Sequence, residues 1–152
     1  MEITVGIFLL TKSNKLLICH PTNARWNQWS IPKGLIDEGE WKWAAGIREL
    51  YEETNIEYEQ IMDYVLEIKD FDEIKYKNRS KYLKPYFIKL DNDDVSEFDL
   101  KCSSIVEIEG HEPFPEMDKH KWVSIDEAMK LIHDTQKEAL NQYLKNGNSI
   151  NI

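Results

Sequence analysis

Three glutamates, Glu49, Glu52 and Glu53, have the spacing i, i+3, i+4. On a helix turning about 100° per residue, this gathers their carboxylates within roughly 100° of arc. Trp43, Ile47, Leu50, Tyr51 and Thr54 fall on the opposite side, which is expected to pack on a sheet. A merely solvated face would interleave lysine with glutamate. Here Glu49 and Glu53 form a like-charged i, i+4 pair, which costs a few tenths of a kcal/mol. Gly46 costs about 1 kcal/mol relative to alanine in a helix interior. Carboxylates near the helix C-terminus also oppose its dipole. Penalties stacked on one face point to a cation that the chain itself does not supply. Oxygen ligands of this kind suit Mg²⁺ or Mn²⁺, ions that also draw in substrate phosphates. Ala45 and Gly46, beside the glutamates, are expected to leave that face low and open.

Two further residues belong to the same stretch. Arg48 lies one turn before Glu52 and next to Glu49. It is placed to fix a carboxylate rotamer by a charge-assisted bond, to serve as a structural ion pair, or to do both. Glu40 precedes the helix and is expected to favour its positive N-terminal end. Between Gly34 and Gln60 there are eight carboxylates against Lys42 and Arg48 alone. Glu57 and Glu59 read as surface charge.

The elements that position these groups follow from local patterning. Residues 2–10 and 15–20 are apolar runs separated by the turn signal Lys12-Ser13-Asn14, which predicts a hairpin. Residues 21–28 form a polar loop. Trp29-Ser30-Ile31 reads as a short strand ending at Pro32, followed by a loop holding Gly34 and Gly39, then a helix over 41–54. Further strands are expected near 61–69, 82–90, 103–108 and 120–124. Ser124-x-x-Glu127 is a capping box that opens a helix, and Thr135-x-x-Glu138 is a second one, at which the C-terminal helix kinks or splits. Strands mixed with one central and one C-terminal helix predict an α/β layered fold. No repeat or linker interrupts residues 1–152, which are expected to form a single domain.

Composition narrows the function classes. The net charge of −9 disfavours extended nucleic acid, whose binding relies on basic surface. No apolar run is long enough for a membrane span. The first residues read as a strand rather than a secretory signal, and two cysteines are too few for a disulfide framework or a cysteine zinc site. A cytoplasmic location is expected. His20, His111, His120 and His133 show no zinc spacing, and each reads as structural or exposed.

The residues from Gly34 to Ile56 resemble the Nudix box, G-x5-E-x7-R-E-U-x-E-E-x-G-U with U a bulky apolar residue. Gly34, Glu40, Arg48, Glu49, Leu50, Glu52, Glu53 and Ile56 occupy its positions, and Asn55 stands where the pattern has glycine. Asparagine is the next-best residue for a left-handed helix cap, so the geometry is expected to survive. The lead-in Trp29-Ser30-Ile31-Pro32-Lys33-Gly34 and the stretch from Phe114 to Ala128 are similar to the same family. The resemblance implies an α/β/α sandwich around a mixed sheet and hydrolysis of a phosphoanhydride bond. It also implies divalent metals, Mg²⁺ or Mn²⁺, held by Glu49, Glu52 and Glu53 with the Gly34 carbonyl as a further ligand. Arg48 would orient Glu49 or its neighbours. Either Glu49 or Glu116 would act as general base, unless Glu116 is only a surface acid.

For substrate, Lys33 is well placed to meet a phosphate and Arg25 is a weaker candidate. Tyr82, Lys84 and Tyr86 share one strand face by period two. They either stack on a base and contact phosphate or form a partly buried sheet face. Tyr76 lies somewhat late for the tyrosine that dinucleoside polyphosphate hydrolases of the family carry after the box. The expected substrate is a nucleoside di- or polyphosphate, a dinucleoside polyphosphate such as diadenosine tetraphosphate foremost, or a nucleoside triphosphate. The alternatives are an RNA 5′ end, or a non-catalytic domain that senses a nucleotide. A monomer and a homodimer are both compatible with the sequence.

Overall fold

Alternation along the first strand sets the layering. In the computed structural model, which describes residues 2–149 (147–149 by backbone alone), β1 (Glu2–Leu10) is buried from Thr4 onward. A strand covered on both faces needs apolar residues at successive positions, and β1 has them. Ile7 and Leu9 join one cluster with Leu50, Ile56 and Ile61, from α1 (Lys42–Thr54), α2 (Tyr58–Ile61) and the link between them. Phe8 and Leu10 join the other with Ala128, Ala139, Leu140 and Tyr143, from α3 (Ile125–Leu131) and α4 (Asp134–Ser149). The result is helix, sheet, helix. Among the described residues no helix is long and apolar enough to cross a membrane.

The main sheet is mixed. Its order is β4 (Val65–Asp70), β6 (Lys81–Leu90), β1, β2 (Leu16–Pro21), β9 (Met117–Val123). Among the described residues only β1 and β6 run parallel, in register from Glu2↔Lys81 to Leu10↔Lys89. The two-residue strand β5 (Ile74–Lys75) lies along β6, and β7 (Ile105–Val106) pairs with β8 (Phe114–Pro115) apart from the main sheet.

The predicted hairpin is closed only at its turn. Asn14 adopts a left-handed φ of 66°, Thr11 N–H donates to the Lys15 carbonyl at 2.9 Å, and Leu10↔Leu16 is the single strand pair. Beyond it β1 and β2 part, and residues 30–35 fill the gap. Ser30 bridges to Cys19 of β2, after which β3 (Lys33–Leu35) pairs with Gly6, Val5 and Thr4 of β1. The strand expected at Trp29-Ser30-Ile31 is therefore reduced to one bridge, and the strand lies beyond Pro32 in the segment read as loop. The physical reason is a change of partner. Pro32 has no N–H to give, and its carbonyl accepts from Ile7 N–H at 3.0 Å, handing the chain from β2 to β1.

Other boundaries moved for local reasons. Residues 58–64 coil into α2 and a 3₁₀ turn, so the strand expected from 61 starts at Val65. Ser124 caps its helix as expected, its Oγ accepting from Glu127 N–H at 3.2 Å, whereas the Glu127 carboxylate accepts from Lys121 Nζ. The C-terminal helix is split as expected. However, α4 opens at Asp134, and the cap is His133 Nδ1, which accepts from Thr135 N–H at 3.2 Å, instead of the Thr135 side chain. Cys19 and Cys102 are free thiols.

Candidate active site

The end of α1 is anchored at every carbonyl of its last turn. A helix leaves its last four carbonyls without helical partners; here the cap residue takes one in the i, i+4 pattern and distant residues take the other three. Asn55, in the left-handed conformation at φ 71°, donates its N–H to Tyr51 O at 2.8 Å. Asparagine therefore does the work of the missing glycine. Glu52 O accepts from Ser103 N–H at 2.8 Å, and Thr54 O from Lys101 N–H at 3.3 Å. Glu53 O lies 2.6 Å from Nε2 of His120, which reaches over from β9. His120, expected to be structural or exposed, thus has a structural role, and its partner lies 67 residues away in sequence.

The helix is rotated relative to the expected wheel. Ala45, Gly46, Glu49, Leu50, Glu53 and Thr54 are buried, whereas Tyr51 is 40% exposed. Gly46 does not open a surface. A β-carbon there would stand 2.8 Å from Ile7 Cδ1 and 3.0 Å from Val5 Cγ1, so glycine lets α1 settle close on β1. Two of the three glutamates consequently face inward, with Glu53 at 0% exposure and Glu49 at 8%. Glu49 lies against Gly34, and Glu53 Oε1 accepts from the Lys33 backbone N–H at 3.2 Å. β3 thus meets both carboxylates with its backbone.

Arg48 organises the outer side. Its Nε and Nη2 grip both oxygens of Glu40 at 2.9 and 3.0 Å, and Nη2 also donates to Leu35 O at 2.9 Å. Nη1 donates to Glu49 Oε1 at 2.8 Å and to Glu52 Oε2 at 3.2 Å. Glu40 therefore serves the arginine instead of the helix N-terminus. Its pKa is lowered chiefly by that bond. Glu116 enters from the loop before β9, accepting from Ser104 Oγ at 2.9 Å.

Burial and crowding dominate the electrostatics. Glu53 is pushed up to about 9, first by burial and then by the charges of Glu116 and Glu49, against a smaller lowering by Lys33. Glu49 is raised by burial, with Arg48 opposing. Glu53 Oε2 is buried and has no hydrogen-bond partner. An orphaned carboxylate oxygen, three further carboxylates in electrostatic reach and a glycine cradle fit a hard divalent cation. Among the described residues, no three acidic, histidine or cysteine side chains are gathered into a finished cage.

Beside this cluster lies a cavity of about 570 Å³, open between residues 75–81 and the α3–α4 junction. Lys33 borders both. Lys75, Lys77, Arg79 and Lys81 add four cations to its wall, and Tyr76 and His133 face one another at 5.4 Å between ring centroids. Positive potential registers on two groups. Lys81 is lowered by burial and then by Lys33 and Arg79. His133 is lowered by burial, with Lys33, Arg79 and Lys137 adding to it and Asp134 opposing. In a chain of net charge −9 this is a local reversal of sign.

Of the residues singled out for substrate, Lys33 and Tyr76 line this cavity, and Tyr82, Lys84, Tyr86 and Arg25 are outside its lining. Lys84 Nζ lies 2.7 Å from both Asp70 Oδ2 and Phe71 O, and Tyr86 packs edge-on against Trp43 at 5.2 Å. Arg25 sits on a loop whose carbonyl is held by His20 Nε2 at 2.9 Å. Arg79 and Lys81, part of the mixture of cations and tyrosines at 76–86, meet His133 here, a partner that sequence spacing does not assign.

The family model described as NUDIX domain matches residues 2–144. The chain is 29% identical over 138 residues to an RNA pyrophosphohydrolase of Pelagibacter ubique, covering 86% of this chain and 80% of that one. It is 32% identical over 108 residues to the asymmetrical bis(5′-nucleosyl)-tetraphosphatase of Caenorhabditis elegans, covering 69% of this chain and 64% of that protein's length. A crystal structure of a C. elegans Ap4A hydrolase binary complex superposes with a TM-score of 0.63 at 22% identity, over 97% of this chain and 96% of that one.

Proposed function

From the chain's membership of the NUDIX family, we propose that it is a divalent-metal-dependent pyrophosphohydrolase of nucleoside polyphosphates, with dinucleoside polyphosphates as the foremost substrates. The observation that carries this reading is a junction. A buried, partly unsatisfied carboxylate cluster adjoins a cation-lined cavity, and Lys33 belongs to both. One side suits a metal-bound diphosphate and the other suits the rest of an anionic substrate.

The residues divide the work as follows. Glu49, Glu52, Glu53 and the Gly34 carbonyl would hold the ion, Mg²⁺ foremost and Mn²⁺ as its substitute. Bound there, it would polarise phosphoryl oxygens and lower the pKa of a coordinated water. Arg48, itself fixed by Glu40 and Leu35 O, sets the carboxylates of Glu49 and Glu52. Lys33 offsets phosphate charge at the mouth of the cavity. Glu49 and Glu116 each have one oxygen in a hydrogen bond, to Arg48 and Ser104 respectively, and a second oxygen outside those bonds for a water proton. Tyr76 and His133, packed on one another, form an aromatic part of the cavity wall, with Lys81 and Arg79 beside them for phosphate. Two free thiols suit a reducing cytoplasmic compartment.

A second reading, removal of diphosphate from an RNA 5′ end, is favoured by the 138-residue similarity to an RNA pyrophosphohydrolase and by Trp26 and Trp41, exposed at 81% and 83%. Exposed tryptophans are stacking platforms for single-stranded bases. The net charge of −9 weighs against it. A Mg²⁺-dependent hydrolysis panel of diadenosine tetraphosphate, ATP and a 5′-triphosphorylated oligonucleotide separates the two. Turnover of the tetraphosphate with loss in Glu52→Gln and Glu53→Gln is the expected result. Full activity in both variants refutes the assignment, and preference for the oligonucleotide selects the second reading.

A further inference from the structure

The handover of the chain from β2 to β1 leaves one peptide without a strand partner, and a single side chain from α4 attends to it. Ser30 still pairs with Cys19, and Lys33 already pairs with Gly6. Ile31, between them and fully buried, gives its N–H to Gln136 Oε1 at 3.1 Å. Gln136 Nε2 donates to Ser30 Oγ at 3.0 Å, and Ser30 Oγ donates to Ile31 O at 2.7 Å. The three bonds close a ring: carboxamide to hydroxyl, hydroxyl to carbonyl, and peptide N–H back to carboxamide. Gln136 is 1% exposed, and both of its polar atoms are engaged.

The ring sits two residues before Lys33, whose backbone N–H holds Glu53, and three before Gly34, on which Glu49 rests. Gln136 also forms part of the cavity wall. We propose that Gln136 is a positioning residue: through Ser30 and Ile31 it sets where Lys33 and Gly34 present their backbone to Glu53 and Glu49, and so links the cavity wall to the carboxylate cluster. This role rests on the hydrolase reading for its consequence in catalysis but not for its geometry. Gln136 is the partner this buried N–H has in place of a strand, and a rigid supporting shell is what holds a metal site to shape. Leucine or methionine at 136 would fill the same volume and provide neither bond.

The test uses Gln136→Met, with Ser30→Ala breaking the other half of the ring. Three quantities are measured on folded protein: amide exchange at Ile31 and Lys33 by NMR without metal, Mn²⁺ affinity by titration, and kcat and KM separately for diadenosine tetraphosphate. The expected results are faster exchange at both amides, Mn²⁺ binding weaker by roughly tenfold, and a fall in kcat larger than the change in KM. The two substitutions together should cost less than the sum of each alone, because they open one ring. A lowered melting temperature with Mn²⁺ affinity and kcat within about twofold of the original would mean that Gln136 only stabilises the fold, and would overturn the proposal. If Gln136→Met does not fold, Ser30→Ala is judged by the same three measurements. If Mn²⁺ affinity responds as expected while no nucleotide is turned over by the unsubstituted protein, the hydrolase reading fails and the positioning role stands.

Discussion

Gly34 and Glu49 compete for one space: a β-carbon on residue 34 would stand 2.1 Å from the Glu49 carboxylate carbon and equally close to its Oε1. The glycine is needed here for its missing side chain, because its neighbour's carboxylate occupies that volume. Gly34→Ala should displace Glu49 while the strand pairing Val5↔Gly34 keeps β3 in place. We expect Mn²⁺ affinity and kcat to fall roughly 10- to 100-fold with little loss of melting temperature. Isothermal titration alongside a thermal melt checks both.

Arg48 hydrogen-bonds four partners with three nitrogens, two of which grip Glu40 in a fork. Lysine has one point of charge and cannot reproduce that geometry. Arg48→Lys should therefore lower kcat substantially with KM little changed, since the cavity does not include residue 48. A steady-state comparison on diadenosine tetraphosphate decides the matter, and an unchanged kcat would contradict it.

Glu53 makes the metal-free protein sensitive to pH in a defined direction. Its pKa is raised to about 9 in the folded state, against 4.5 for the ordinary group. Between these values the folded chain binds a proton that the unfolded chain releases, so stability is fully present below about pH 4.5 and is lost as pH rises through about 9. Glu49, raised by burial, acts in the same sense. The slope is at most about 1.4 kcal/mol per pH unit for one proton. Melting temperatures in EDTA should fall from pH 5 to pH 9, and Glu53→Gln should flatten the dependence.

His133 reports on the cavity. It lies below its ordinary pKa through burial, with Lys33, Arg79 and Lys137 contributing. A phosphate group entering beside those cations adds negative charge and should move the imidazole pKa upward. NMR titration of His133 with and without AMP measures the change, and Arg79→Ala should weaken AMP binding while reducing the shift.

What the sequence disclosed, and what it withheld, follows from the range of the interactions. The α1 helix, its left-handed cap at Asn55 and the Ser124 cap are decided within a few residues, and all three were legible. The rotation of α1 was not. Charge placed Glu49 and Glu53 on the outside of the wheel, yet the small residues Ala45 and Gly46 mark the line where the helix meets β1, and they bring the glutamates inward with them. Lys84 looked like a phosphate contact because its strand face carries two tyrosines. Asp70, 14 residues away in sequence and adjacent across the sheet, takes it instead. The cavity joins residues 75–81 to His133 and Gln136, a meeting that no local pattern encodes.

The early parting of β1 and β2 has a mechanical consequence. With Leu10↔Leu16 as their single direct pair, the molecule has a seam down the middle of its sheet. Tyr76 and Lys81 bond to each other at the β5–β6 end, Met117 pairs with Pro21 of β2, and all three line one cavity with Arg79, His133 and Gln136. A ligand filling the cavity would touch both sides and act as a stitch. At a hundred times its dissociation constant it would add about 2.7 kcal/mol to the folded state, and the amides flanking the seam should show that gain first.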